Sequence, residues 1–81
     1  MDFEKIGNGW YKVSEIVAVT FSYESGFDVR GQVIQPGMTD KVKEVAIYFS
    51  GGQILVAKGD DAKEFSEYWN FINREPVGDI A

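Results

Sequence analysis

The chain has 81 residues, 44% hydrophobic and 15% aromatic, and 13 acidic against 8 basic residues give it a net charge of −5. A chain of this length buries only roughly 60 to 65% of its unfolded surface, enough for one core and not two, and so apolar a composition argues against intrinsic disorder. Cysteine and histidine are both absent, which removes disulfides, thiolate chemistry, Ser-His and Cys-His nucleophile pairs and nearly all imidazole metal sites.

There is no apolar run of about 18 residues to cross a bilayer. The opening MDFEKIGNGW alternates charge with apolar residues where an export signal would place a basic region before an apolar block. The expectation is a soluble, unexported, cytoplasmic protein without membrane contact. The acidic balance opposes binding to nucleic acid, which depends on Lys and Arg to neutralise phosphates.

In chain order, Gly7-Asn8-Gly9 is a turn signal that sets off a small N-terminal arm bearing Phe3 and Ile6, expected to fold back on a sheet. A short edge segment from Trp10 to Val13 bends near Ser14-Glu15 into a strand, where Val17, Val19, Phe21 and Tyr23 recur at period two. Glu24-Ser25-Gly26 closes a hairpin into FDVRGQVIQ, with Phe27, Val29 and Val33 on one face and Asp28 and Arg30 as an outer charge pair. Gly31 interrupts that strand as a bulge or a point of close backbone approach. Pro36-Gly37 fits the centre of a type II turn in a long polar connection, which holds Met38 without an evident packing role.

AIYFSGGQILVAK, residues 46 to 58, reads as a hairpin. With Gly51-Gly52 as a two-residue primed turn, Phe49 faces Ile54, Ile47 faces Val56 and Val45 faces Lys58 on the core side. The other side then pairs Ser50 with Gln53, Tyr48 with Leu55 and Ala46 with Ala57. After Gly59 the period changes: Ala62, Phe65, Trp69 and Ile72 form a helical stripe flanked by Tyr68 and Phe71, with Lys63, Glu64, Glu67, Asn70 and Arg74 outward. The helix is predicted over about 61–74, opened by a capping box of Asp61 and Glu64 and stopped before Pro76 and Gly78. The fold class is therefore α+β: one domain over residues 1–81, a single antiparallel sheet of about four to five strands built as a meander of hairpins, and one C-terminal amphipathic helix on one sheet face.

The chemistry in this pattern is sparse. Asp60, Asp61, Glu64 and Glu67 make the one carboxylate cluster, and helix-start rules account for it without metal or catalysis, since GDDAKE lacks the alternating ligands of a calcium loop. No GxxxxGK or GxGxxG occurs, so no phosphate or dinucleotide cofactor is implied. Basic residues are scattered and line no groove, so the aromatics do not imply direct nucleic-acid binding. No catalytic, cofactor-binding or metal-binding residue is assigned, and the chain is not expected to be an enzyme.

The expected role is a small protein-binding module, with a protein partner or a second copy in a homodimer, acting through the open sheet face (Tyr48 and Leu55), an edge strand, or the loop carrying Met38. An alternative uses Asp60, Asp61, Glu64 and Glu67 to occupy a basic groove of a nucleic-acid-processing complex. In length, acidity and lack of catalytic residues the chain resembles phage-encoded inhibitors such as anti-CRISPR or anti-restriction proteins. This resemblance of type implies a phage or bacterial accessory protein.

Overall fold

The computed structural model describes residues 3–30 and 37–73. Two strands, β1 (Phe3–Ile6) and β2 (Gly9–Lys12), form an antiparallel hairpin. A four-stranded antiparallel sheet follows, built from β3 (Ile16–Tyr23), β4 (Asp28–Arg30), β5 (Val42–Phe49) and β6 (Ile54–Lys58), and the chain continues into the single helix α1 (Asp60–Asn73). Short 3-10 turns at Val13–Glu15 and Thr39–Lys41 lead into β3 and β5. The architecture is α+β, as the pattern of elements requires.

The sheet is not a simple meander. Its order is β4-β3-β5-β6, so the chain crosses from β4 past β3 to reach β5. The two eight-residue strands are the ones with long apolar alternation, and pairing them with each other places Val19, Phe21, Val45 and Ile47 together, all without solvent exposure. Each such side chain contributes about 1.5 to 3 kcal/mol on burial. Both strands also bury apolar residues at an odd spacing, Ile16 with Val19 and Val42 with Val45, which strict alternation forbids. Two bulges resolve this: the pairing shifts between Ile16 and Ala18, leaving Val17 as an extra, exposed residue, and between Ser22 and Tyr23, leaving Lys43 extra on β5.

The core side of the sheet is covered by α1 and by the β1–β2 hairpin. Ile6 lies in the buried cluster, and Tyr11 stacks on Phe49 at 5.6 Å between ring centroids. The arm thus folds back as expected, but onto the helix side, and Phe3 stays half exposed. From the helix, Ala62, Phe65, Ser66 and Asn70 are buried, with Trp69 half-buried and stacked on Phe65 at 5.6 Å. This corrects the expected stripe: Phe71 and Ile72 are exposed, and Asn70 turns inward. Ser66 is tolerated because its hydroxyl donates to the Ala62 carbonyl at 2.7 Å. Lys63, expected outward, is half-buried and donates Nζ–H to the Val42 carbonyl at 3.1 Å. The Trp69 indole N–H is buried with no hydrogen-bond acceptor among the described residues.

Two further expectations change. Phe27 is exposed and precedes β4 instead of sharing its inner face, while Val29 packs partly on the core. The helix opens one residue early, with Gly59 as its cap: the Lys63 N–H donates to the Gly59 carbonyl at 3.1 Å, so Asp60 and Asp61 sit inside the first turn and the Asp61–Glu64 capping box does not form. Both acids still favour the positive end of the helix. Gly37 has the positive φ, +89°, that the third residue of a type II turn needs. Gly31, Val33, Pro36, Arg74, Pro76 and Gly78 lie outside the described residues.

The β5–β6 hairpin decides which residues face out. Gly52 N–H donates to the Phe49 carbonyl and Phe49 N–H to the Gln53 carbonyl, both at 2.9 Å, and Gly52 has φ +91° while Gly51 has no positive φ. This is a three-residue loop, a type I turn closed by one left-handed residue, in place of a two-residue primed turn. The register is therefore Tyr48 with Ile54, Ile47 with Leu55, Ala46 with Val56 and Val45 with Ala57. A slip of one residue exchanges the faces of a strand, so Leu55 turns toward the core and the expected pairing of Tyr48 with Leu55 is overturned.

Alanine substitution separates the two loops, because a Cβ at either glycine meets open space and only conformation matters. Gly52→Ala should lower stability by about 1 to 2 kcal/mol, the cost of a left-handed non-glycine residue, and Gly51→Ala should be near neutral. Urea denaturation of both variants checks this; equal losses would restore the two-residue turn.

Candidate protein-binding site

The outer face of the sheet, opposite the helix, reads as rows across the strands. Asp28, Ser22, Glu44 and Lys58 form the first row; Arg30, Thr20, Ala46 and Val56 the second; Ala18, Tyr48 and Ile54 the third. Charge lies in the first row and toward β4, apolar surface in the third row and toward β6. Ala18, Thr20 and Ala46 make a low floor, and across it the Arg30 guanidinium lies over the Tyr48 ring, 5.7 Å from its centroid. That contact takes the place of the expected Asp28–Arg30 charge pair. Ile54 is 59% and Val56 45% exposed, and Val17 at the bulge is exposed as well.

Because the hairpin arm packs on the other side, no described element covers this face. Two acids and two bases balance there, so the net charge of −5 resides elsewhere on the chain. The sequence pointed to the face through Tyr48 and Ala46 and put Arg30 on the outer side of its strand, but missed Ile54, Val56 and Ala18, since one residue of register hid the first two.

β6 is also an edge strand. In antiparallel pairs hydrogen-bonded and non-hydrogen-bonded positions alternate, and the Phe49–Gln53 bond fixes the phase, as does the 3.1 Å bond from Gly59 N–H to the Lys43 carbonyl. The backbone N–H and C=O groups of Ile54, Val56 and Lys58 therefore point away from β5, and no described residue makes a backbone hydrogen bond to them. Beside this edge runs a cleft of about 520 Å³, with Ile6 to Gly9 and Tyr11 on one wall and Leu55 to Lys58 with Asp61 on the other.

A second cleft, about 430 Å³, continues around the hairpin turn between β1 and α1, lined by Glu4, Lys5, Asp61, Glu64 and Tyr68 and sharing Ile6, Gly7 and Asp61 with the first. The turn and the helix start are close: a Cβ on Gly7 would lie 3.4 Å from Asp61 Oδ2. Burial raises the Tyr68 phenol above its ordinary value, and the Glu4 carboxylate raises it further.

The residues singled out from sequence fall in three places. Tyr48 is on the outer face. Leu55 is on the core face, partly buried, and Met38 also packs partly on the core, its carbonyl accepting the Lys41 N–H at 3.0 Å. Asp60, Asp61, Glu64 and Glu67 are exposed on α1. Among the described residues no group of three acidic side chains is placed to hold a metal ion, and no helix is long and apolar enough to cross a membrane. No protein-family model, curated protein or solved structure matches the chain.

The raised Tyr68 phenol has a definite sign. The folded state holds this proton more tightly than the unfolded chain, so its contribution is fully present below pH of about 10 and is lost as pH rises through the folded value. Glu4→Gln should move the Tyr68 ionisation down toward the ordinary range, and Tyr68→Phe should remove that step from an ultraviolet phenolate titration. An unchanged titration in Glu4→Gln would show that the carboxylate does not act on the phenol.

Proposed function

We propose that this chain is a protein-binding module whose contact surface is the outer face of the four-stranded sheet. The observation that carries the reading is the apolar corner of Tyr48, Ile54 and Val56 on a floor of small residues, covered by no other described element while the helix and hairpin occupy the opposite face. An aromatic anchor with apolar neighbours and a polar rim is the composition of an interface centre. The Arg30 guanidinium over Tyr48 holds the ring in place, so less side-chain freedom is lost on contact. The absence of histidine and cysteine supports binding over catalysis.

A second reading rests on the exposed carboxylates of α1. Asp60, Glu64 and Glu67 share one helical stripe with the exposed Phe71, a surface suited to the basic groove of a nucleic-acid-processing protein.

Capture from nuclease-treated cell lysate with washes of increasing salt tests both. On the first reading a partner stays bound in high salt to the wild-type protein and is lost from Tyr48→Ala and Ile54→Lys. On the second it is released by moderate salt and lost from Asp60→Lys and Glu64→Lys. Retention of the same partner by Tyr48→Ala and Ile54→Lys would refute the sheet-face reading.

A further inference from the structure

Footprint area decides how far the contact must extend. Three rows two residues apart on four strands span roughly 14 by 14 Å, a flat footprint of roughly 200 Å². A stable interface needs about 800 Å² on each partner. The flat face is small beside that figure, and β6 is the edge through which a contact centred on the apolar corner can extend.

We infer that the free edge of β6 takes an extended segment of another protein as a fifth strand, antiparallel to β6, with basic residues at the N-terminal end of that segment. The inference rests on the reading of the chain as a protein-binding module and names the chemistry of the partner. Four of the five β6 residues, Ile54 to Ala57, are apolar, and the strand has neither Pro nor Gly. The outward N–H and C=O groups of Ile54, Val56 and Lys58, unpaired among the described residues, offer a row of ladder positions. Alternate side chains of the guest would enter the 520 Å³ cleft against Ile6, Tyr11, Leu55 and Ala57, so small or branched apolar residues suit those positions. β6 runs toward Asp61, where the cleft meets Glu4 and Glu64 against the cations Lys5 and Lys58, the latter across from Glu44 on β5. An antiparallel guest brings its N-terminal end there, and charge complementarity calls for Lys or Arg on it.

The shared position of the arm weighs against a second copy as the occupant. Edge-to-edge pairing of two β6 strands about a twofold axis would place both sheets' core faces on one side, bringing two β1–β2 hairpins to the same seam.

The test uses the synthetic peptide Lys-Arg-Lys-Val-Thr-Val-Thr-Val and its reverse, Val-Thr-Val-Thr-Val-Lys-Arg-Lys, with the full chain. Titration by fluorescence anisotropy should show the first binding at least about tenfold more tightly than the second. Amide hydrogen exchange of the wild-type protein should show Ile54, Val56 and Lys58 exchanging rapidly when free and protected when the peptide is bound. Val56→Pro, which removes an outward donor at a position where an edge tolerates proline, should weaken binding about tenfold, the loss of one or two hydrogen bonds. Asp61→Asn with Glu64→Gln should weaken it severalfold and flatten its salt dependence, while Phe27→Ala, at an exposed residue just before the opposite edge strand β4, should change it less than twofold. No binding, equal binding of the reversed peptide, or protection that misses these three amides overturns the inference. So does a free protein that sediments as a dimer with those amides already protected, which would make a second copy the occupant. Failure of the peptide with capture still dependent on Tyr48 removes the strand-addition inference alone; the converse removes the sheet-face reading alone.

Discussion

The turn from Phe49 to Gln53 sets the parity of β6, and most of what distinguishes the two sides of this molecule follows from it. One left-handed residue, Gly52, closes a three-residue loop. That places Leu55 and Ala57 toward the core and leaves Ile54, Val56 and Lys58 on the outer face. The same parity puts Lys58 across from Glu44, a favourable cross-strand pair, and aims the backbone groups of Ile54, Val56 and Lys58 away from β5. It also delivers Gly59 to the end of the sheet with its N–H on the Lys43 carbonyl and its own carbonyl capping α1. Had the loop been one residue shorter, Lys58 would point into the core, where an unpaired ammonium is costly to bury.

The two faces of the sheet then answer different needs. The core face combines β3 and β5 with Phe65 of the helix and Ile6 of the arm, and its bulges at Val17 and Lys43 let both long strands bury residues at odd spacing. The outer face is low at its centre and balanced in charge, with Arg30 lying across the alanines to reach Tyr48. Acidity is concentrated instead on the exposed side of α1, where the helix start favours it. A neutral apolar face beside an acidic cleft gives the molecule two surfaces of different chemistry, and the proposed contacts would draw on both.

Much of this was legible in the residues because the signals were periodic. Val19, Phe21 and Tyr23 at period two, and the helical spacing of Ala62, Phe65 and Trp69, located the elements and the α+β class. The errors came where a single residue changes the outcome. Ser50-Gly51-Gly52 permits a two- or a three-residue loop, and composition alone does not choose between them. Asn70 reads as outward because it is polar, yet with Ser66 it completes the helix's inward stripe and displaces Ile72. Adjacency in sequence suggested a meander, whereas the affinity of the two longest apolar strands for each other put β3 beside β5. The free edge and its cleft had no sequence signature, because they depend on where the arm packs.

Which residues face outward on the sheet depends on the register of β5 with β6, and nuclear magnetic resonance reads it directly. In non-hydrogen-bonded antiparallel pairs the α-carbons approach to about 4.5 Å, so their α-protons give strong cross-strand contacts. The expected contacts join Tyr48 with Ile54 and Ala46 with Val56. Contacts joining Tyr48 with Leu55 and Ala46 with Ala57, or Ile47 with Val56, would return Leu55 to the outer face and contradict the site described for this protein.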